Sequence, residues 1–302
     1  MTAAKKARGL NVEFNSSSSW KLKTRTLKFG RLPVLMGIVN VTPDSFSDGG
    51  QHAGIEEAVA HALRLVEEGA GILDIGGEST RPYSEPVSVD EELRRTIPVI
   101  DQLANRTDVP ISIDTSKSAV ARAAVNAGAE IINDVTGLEG DPQMIEVARD
   151  SGVGVCAMHM HVTPQTMQNS PQYNDVVDEV FDYLNQRLES LVKAGIDATR
   201  VCLDPGIGFG KSQLHNLKLV AAASRFHGLG QPILVGHSRK GFIGKAIGDL
   251  EANRTAGNLA VTMQLAQHGI QVIRLHEIES AVQALSVLNA TGGIDGHVEP
   301  KA

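Results

Sequence analysis

Residues 110–135 read PISIDTSKSAVARAAVNAGAEIINDV, and this stretch decides the fold. Pro110 to Asp114 is a short β-branched run closing on a carboxylate. Lys117 to Ala127 then brings apolar residues round every three or four positions, which is the period of an amphipathic helix. Gly128 follows, suited to the left-handed end of such a helix, and Ile131 to Val135 forms a second β-branched run that also closes on polar residues, Asn133 and Asp134. Strand, helix and strand in so few residues make a parallel βαβ unit.

The same alternation runs outward in both directions. Further strand candidates are Val34 to Val41, Ile72 to Gly76, Gly154 to Met160, Val201 to Asp204, Pro232 to Gly236 and Gln271 to His276. Helix candidates lie between them, among them Ile55 to Glu68, Asp90 to Leu103, Val176 to Val192 and Thr255 to Gln267, with Gly69, Gly195 and Gly269 at further helix ends. About eight strand–helix pairs in a chain of this length predict an α/β fold of the (β/α)8 TIM-barrel type. An open doubly wound sheet has fewer strands, and no composition break marks a second domain. Trp20 to Thr24 and Thr26 to Phe29 alternate as a two-stranded hairpin able to plug the barrel's bottom. The expected organisation is a flexible tail over 1–18, one barrel domain over 19–290 and a second flexible tail over 291–302.

Composition narrows the function. The 302 residues are 42% apolar and 21% charged, as in an ordinary globular protein, and no apolar run reaches the roughly 18 residues of a membrane span. Lys5, Lys6 and Arg8 precede a polar stretch with Ser16 to Ser19, which argues against a secretory leader and for a cytoplasmic protein. A formal net charge of −7 without a basic stripe gives no footprint for nucleic acid. The two cysteines, Cys156 and Cys202, sit in apolar runs and are expected to be buried small hydrophobes in a reducing compartment.

In a barrel the chemistry lies at the C-terminal ends of the strands. Polar residues occur at nearly every one: Asn40, Asp74 with Glu78, Asp114, Asn133 with Asp134, His159 with His161, Asp204, Ser238 with Arg239 and Lys240, and Arg274 with His276. Singly, each has a structural explanation. Asp114 or Asp204 can cap a helix, Asn133 can satisfy a loop, and Arg274 can pair with Asp74. Together they point to one site on the barrel axis.

Three familiar motifs fail on inspection. Asp204 to Ser212 looks like a phosphate loop, but Pro205 stands where its first glycine belongs, and Lys211 spoils the dinucleotide fingerprint. Gly236-His237-Ser238 lacks the closing glycine of a nucleophile elbow, since position 240 is lysine. His159 and His161 have the spacing of a zinc-binding strand without clear further ligands, which leaves a metal-dependent hydrolase as a minor alternative.

Over Trp20 to Leu288 the sequence resembles the dihydropteroate synthase family. The residues that carry the resemblance are Met36 to Gly50 (MGIVNVTPDSFSDGG), Asp74 to Pro82 (DIGGESTRP), Ile113 to Thr115, Asn133 to Val135, Met158 to Met160, Asp204 to Phe209 (DPGIGF), Ser238 to Lys240 and Arg274 to His276. The resemblance implies a transferase of folate biosynthesis and target of sulfonamides, which condenses 6-hydroxymethyl-7,8-dihydropterin diphosphate with 4-aminobenzoate. It implies that Asp114, Asn133, Asp204 and Lys240 hold the pterin and that Arg274 stacks on it. Thr80, Arg81, Arg274 and His276 would meet the diphosphate, with Mg²⁺ near Asn40. Phe46 and Asp48 belong to the first loop, and the 4-aminobenzoate pocket would comprise Phe46, Pro82, Phe209, Lys240 and Gly241. Lys240, Arg81, Asp48 and Phe46 are the implied catalytic residues, and the family pattern implies a homodimer, for which Leu259, Val261, Leu265 and Val282 are candidate contacts. The sequence departs from the pattern at Gly241, where serine is frequent, at Tyr83, and at His161-Val162. The alternatives are a methyltetrahydrofolate methyltransferase-type barrel and a non-catalytic pterin-binding paralogue.

Overall fold

The computed structural model describes residues 17–41, 50–79, 85–160 and 172–298. Among them, two short strands, β1 (Ser19–Lys21) and β2 (Thr26–Lys28), pair antiparallel, with Trp20 opposite Leu27. Eight parallel strands follow: β3 (Val34–Asn40), β4 (Ile72–Gly76), β5 (Ile111–Asp114), β6 (Ile131–Asp134), β7 (Gly154–Met158), β8 (Val201–Asp204), β9 (Leu234–Gly236) and β10 (Val272–Leu275). Their order is β8-β7-β6-β5-β4-β3-β10-β9, and a parallel bridge from Leu203 to Ile233 joins the two ends. The sheet is therefore the TIM barrel that the alternating pattern predicts.

Helices α1 (Gly50–Glu67), α2 (Val89–Ala104), α3 (Ser118–Asn126), α4 (Met144–Ser151), α5 (Val176–Lys193), α6 (Gln213–Ala221), α7 (Gly241–Ile247), α8 (Thr255–Gln267) and α9 (Ile278–Ala290) surround it. Their starts follow local chemistry. Ser88 caps α2 by accepting from the Glu91 N–H, and Asp175 caps α5 by accepting from Val177 and Asp178. Gly69, Gly128, Gly195 and Gly269 all have positive φ, as their places at helix ends require. No helix of the described residues is long and apolar enough to cross a membrane.

Two apolar layers hold the barrel. Outward-facing residues such as Leu35, Val39, Leu73, Ile113, Ile132 and Val155 pack under the helices. The inward-facing layer at the bottom comprises Met36, Ile72, Ile131, Cys156, Cys202, Leu234 and Val272, and Trp20 and Leu22 of the hairpin close it from below. Trp20 is fully buried, and its indole N–H donates to the Arg200 carbonyl at 2.8 Å. A side chain at Gly154 would meet Leu22 Cδ2 at 2.7 Å and the Trp20 ring at 3.2 Å, so glycine is what lets the plug approach β7. Replacing Trp20 with alanine is expected to cost about 3–5 kcal/mol, read as a lowered urea midpoint. An unchanged midpoint would show that the plug contributes nothing.

The cysteines are free, buried and in register on β7 and β8, as expected of small core residues. Leu265 is wholly buried, whereas Leu259, Val261 and Val282 pack only partly against the core. Residues 291–298, placed by sequence in a tail, form a turn: Thr291 bridges Val298, and Arg31 pairs with Asp295.

Candidate active site

One inward position above the apolar floor the lining becomes polar. Successive inward residues lie two apart on a strand, so Ile72 is followed by Asp74, Ile131 by Asn133, Cys202 by Asp204 and Val272 by Arg274. Arg274 spans this layer. Its Nε donates to Asp74 Oδ2 at 2.6 Å and its Nη2 to Asp114 Oδ2 at 2.7 Å, while Asn133 Nδ2 donates to the same Asp74 oxygen at 3.1 Å. One guanidinium thus serves two carboxylates, leaving Asp74 Oδ1 buried without a hydrogen bond among the described residues. Burial pushes the Asp114 carboxyl up to about 7; Arg274 opposes this, and the charges of Asp74, Glu92 and Asp134 add to it. Arg274 itself is raised, because its carboxylate partners outweigh burial. Asp134, the outward neighbour of Asn133, instead accepts from the Thr136 backbone N–H at 2.8 Å and hydroxyl at 2.7 Å, a structural role.

The loop after β8 brings the second half of the site together. Asp204 Oδ1 accepts the Gly206 N–H at 2.7 Å. Gly206 has φ of +68°, and a Cβ there would fall 1.9 Å from the His159 carbonyl oxygen, so only glycine permits the approach. Lys240 reaches across from the end of β9: its ammonium donates to the Ile207 carbonyl and lies 4.4 Å from the centre of the Phe209 ring. Burial lowers Lys240 to about 7 against the pull of Asp204, and the same burial raises Asp204. Gly241 is the exposed first residue of α7, with open space around its missing Cβ.

Beside this layer an open cavity of about 440 Å³ is lined by Asn40, His276 and Arg239, and by Glu57, His61 and Arg64 of α1. Arg239 has φ of +59°, a strained value for a side chain of this size, and its backbone N–H donates to Asn258 Oδ1 at 3.1 Å. Its Nε binds Glu277 Oε1 at 2.7 Å.

Asn40, Asp114, Asn133, Asp204, Phe209, Lys240, Gly241, Arg274 and His276 thus share one barrel mouth. Phe46, Asp48, Thr80, Arg81, Pro82, Tyr83 and His161 lie outside the described residues. Several participants escaped the sequence. Lys211, seen there only as a misplaced motif letter, is buried with its ammonium 2.9 Å from His159 Nδ1 and donating to the Phe209 carbonyl at 2.9 Å. Glu92 is fully buried on α2, and Lys117 bridges it to Glu78 at the root of the loop after β4. Its signal was available, because Glu92 falls on the same helical stripe as Thr96, Val99 and Leu103. Among the described residues no group of three or more His, Cys, Asp or Glu is placed to hold a metal ion.

A closed barrel whose mouth combines buried carboxylates, an amide, a lysine and an arginine is built to hold a flat, polar-edged ring, and residues 36–276 match the family of pterin binding enzymes. Dihydropteroate synthase of Escherichia coli strain K12 is 46% identical over 259 residues, covering 86% of this chain and 92% of that one. The Bacillus subtilis enzyme is 41% identical over 271 residues, covering 89% and 92%. The structure of Xanthomonas albilineans dihydropteroate synthase with 4-aminobenzoic acid superimposes with a TM-score of 0.84 at 47% identity, covering 91% of this chain and 98% of that one. The chain belongs to the dihydropteroate synthase family.

Proposed function

We infer that this chain condenses 6-hydroxymethyl-7,8-dihydropterin diphosphate with 4-aminobenzoate, giving 7,8-dihydropteroate and diphosphate. The observation that carries this is the meeting of the Asp114, Asn133, Asp204, Lys240 and Arg274 side chains beside a cavity lined by Asn40, Arg239 and His276. Asp114 and Asp204 accept the N–H donors along the pterin edge, Asn133 adds an amide, and Lys240 donates to the ring's acceptor side. Arg274 stacks on the ring as a planar cation, and pterin entry therefore rearranges its bond to Asp114.

The diphosphate then lies toward the cavity. The bond between the pterin methylene carbon and the diphosphate oxygen breaks, its electron pair staying on the leaving oxygen. The amine nitrogen of 4-aminobenzoate forms the new C–N bond and releases one proton. His276, Arg239 and, from the second loop, Thr80 and Arg81 are suited to the departing charge. Phe46 and Asp48 of the first loop, with Pro82 and Phe209, complete the aromatic amine's pocket and exclude water. Mg²⁺ fits the donor set, since it commonly takes one or two protein oxygens with the rest from phosphate and water, and Asn40 offers one such oxygen; bound there, it would neutralise diphosphate charge.

In the test, diphosphate release is followed with both substrates and Mg²⁺, and again with each omitted. Release that requires both substrates supports the reading. Pterin binding without turnover would instead favour a paralogue that has lost the reaction.

The Xanthomonas albilineans structures include complexes with 4-aminobenzoic acid and with 7,8-dihydropteroate, and a Yersinia pestis synthase structure carries a sulfonamide drug complex. For this chain, Gly241 leaves the 4-aminobenzoate carboxylate without a serine hydroxyl. Gly241→Ser fits the open space there and is expected to lower the KM for 4-aminobenzoate and the sulfonamide inhibition constant together, by about tenfold, one hydrogen bond to a charged group. Unchanged values for both would remove Gly241 from this pocket. The half-buried Leu259, Val261 and Val282 and the exposed Val287 on α8 and α9 support a homodimer, testable by analytical ultracentrifugation. The buried free thiols suit a cytoplasmic enzyme.

A further inference from the structure

The hydroxyl of Ser238 sits among three partners whose roles fix one another. Glu277 Oε2 lies 3.2 Å from Ser238 Oγ, the His276 backbone N–H donates to it at 3.3 Å, and His276 Nδ1 lies 2.9 Å away. A serine has one hydrogen to give and two lone pairs with which to accept. An ionised carboxylate only accepts, so the serine hydrogen goes to Glu277. The backbone amide only donates and takes one lone pair. What remains for His276 Nδ1 is the second lone pair, and Nδ1 must therefore carry a hydrogen. Glu277 is suited to this ionised role: burial pushes its carboxyl up, but the hydrogen bond and charge of Arg239, with the Ser238 hydroxyl adding, outweigh burial and hold it below the usual range.

We propose that Ser238 and Glu277 are positioning residues that fix His276 in the Nδ1–H form, so that its Nε2 takes up a proton when the diphosphate group arrives. This rests on the functional reading above and deepens it. A neutral ring with hydrogen on Nδ1 offers only a lone pair at Nε2 and cannot donate to an anion. Binding diphosphate then converts the ring to imidazolium, with Nδ1–H directed at Ser238 and Nε2–H directed at phosphate oxygen. The negative end of the relay, Glu277, favours that cation. Among the described residues, the titratable and charged groups around the ring are Glu277 and Arg239, Arg274 two positions earlier at the end of β10, and Glu57, His61 and Arg64, which line the same cavity from α1. The bonds made and broken in the condensation are unchanged. The relay sets only the charge that meets the leaving group.

The first experiment needs no substrate. Long-range proton–nitrogen spectra of protein labelled with ¹⁵N-histidine, with the His276 signals assigned by their loss in His276→Gln, report which ring nitrogen carries the hydrogen in the neutral form. Nδ1–H is expected, the reverse of the form free histidine prefers. Ser238→Ala should lose that bias and Ser238→Thr, which restores a hydroxyl, should regain it. A neutral ring protonated on Nε2 in the unsubstituted protein would overturn the assignment.

The second experiment titrates inorganic diphosphate with Mg²⁺ calorimetrically, in buffers of different ionisation enthalpy. As pH rises above the imidazole range, affinity is expected to fall by up to about tenfold per unit more steeply than in His276→Gln, with one extra proton taken up. Equal slopes and equal proton uptake would overturn the coupling to diphosphate. Should the chain prove unable to turn over substrate, the spectra would still stand or fall alone.

Discussion

Lys240→Met is expected to lower kcat/KM for the pterin diphosphate by about 10²–10³-fold, the size of losing one preorganised donor in a sequestered site. Methionine keeps an unbranched stem and removes the ammonium that lies over Phe209, so the fold should be retained. The effect has a pH signature whose sign follows from burial. Lys240, lowered to about 7, is a cation below that pH and loses its charge above it. Asp114, raised to about 7, is a carboxylate above that pH and protonates below it. Pterin recognition needs both the cation and the carboxylate, so affinity in the unsubstituted protein should peak near neutrality and fall on either side. Lys240→Met should lose the alkaline fall and keep the acidic one. Near-normal kcat/KM, or an unaltered alkaline limb, would remove Lys240 from the site.

The polar layer was legible because strand geometry is simple. Asp74, Asn133, Asp204 and Arg274 each follow a core residue by two positions, and period two places them on the barrel axis without knowledge of any loop. The plug was legible for the same reason, through the alternation around Trp20, whereas the room that Gly154 leaves for it was not. Partner choice was not legible. Sequence offered Arg274 both a structural pairing with Asp74 and, by resemblance, a place on the pterin, and the described structure shows the pairing extended to Asp114. The contact between Ser238 and His276 joins the segments that follow β9 and β10, 38 residues apart in the chain and brought together only by the pairing of those strands. Lys211 reaches His159 only because the chain turns back at Gly206, whose φ no composition count reveals. Local period and strand ends were written in the chain; hydrogen-bond roles depended on closure.

Arg274→Met is expected to destabilise the protein by about 3–5 kcal/mol near neutral pH, in addition to abolishing pterin turnover. The reason is the asymmetry of the pairing. Asp74 is wholly buried and Asp114 nearly so, and both rely on this guanidinium. Without it two carboxylates remain at low dielectric with only the Asn133 amide between them and the unfolded state's solvation. Asp114, already raised to about 7 with Arg274 beside it, then rises further, so the deficit should be smallest in acid, where its carboxyl is protonated with or without the guanidinium, and grow as pH rises through neutrality. Thermal unfolding of the variant across that range checks the sign, and a deficit that grows on acidification would contradict it. Asp74→Asn in the same chain should recover much of the stability, because the asparagine presents no charge to bury, while leaving turnover lost. Arg274→Lys should fall between, since a point charge can satisfy one carboxylate but lacks the fork that reaches both. If Asp74→Asn failed to restore stability to Arg274→Met, the cost would lie in packing around β10 rather than in uncompensated charge, and the guanidinium's part in the fold would have to be assigned to its stem.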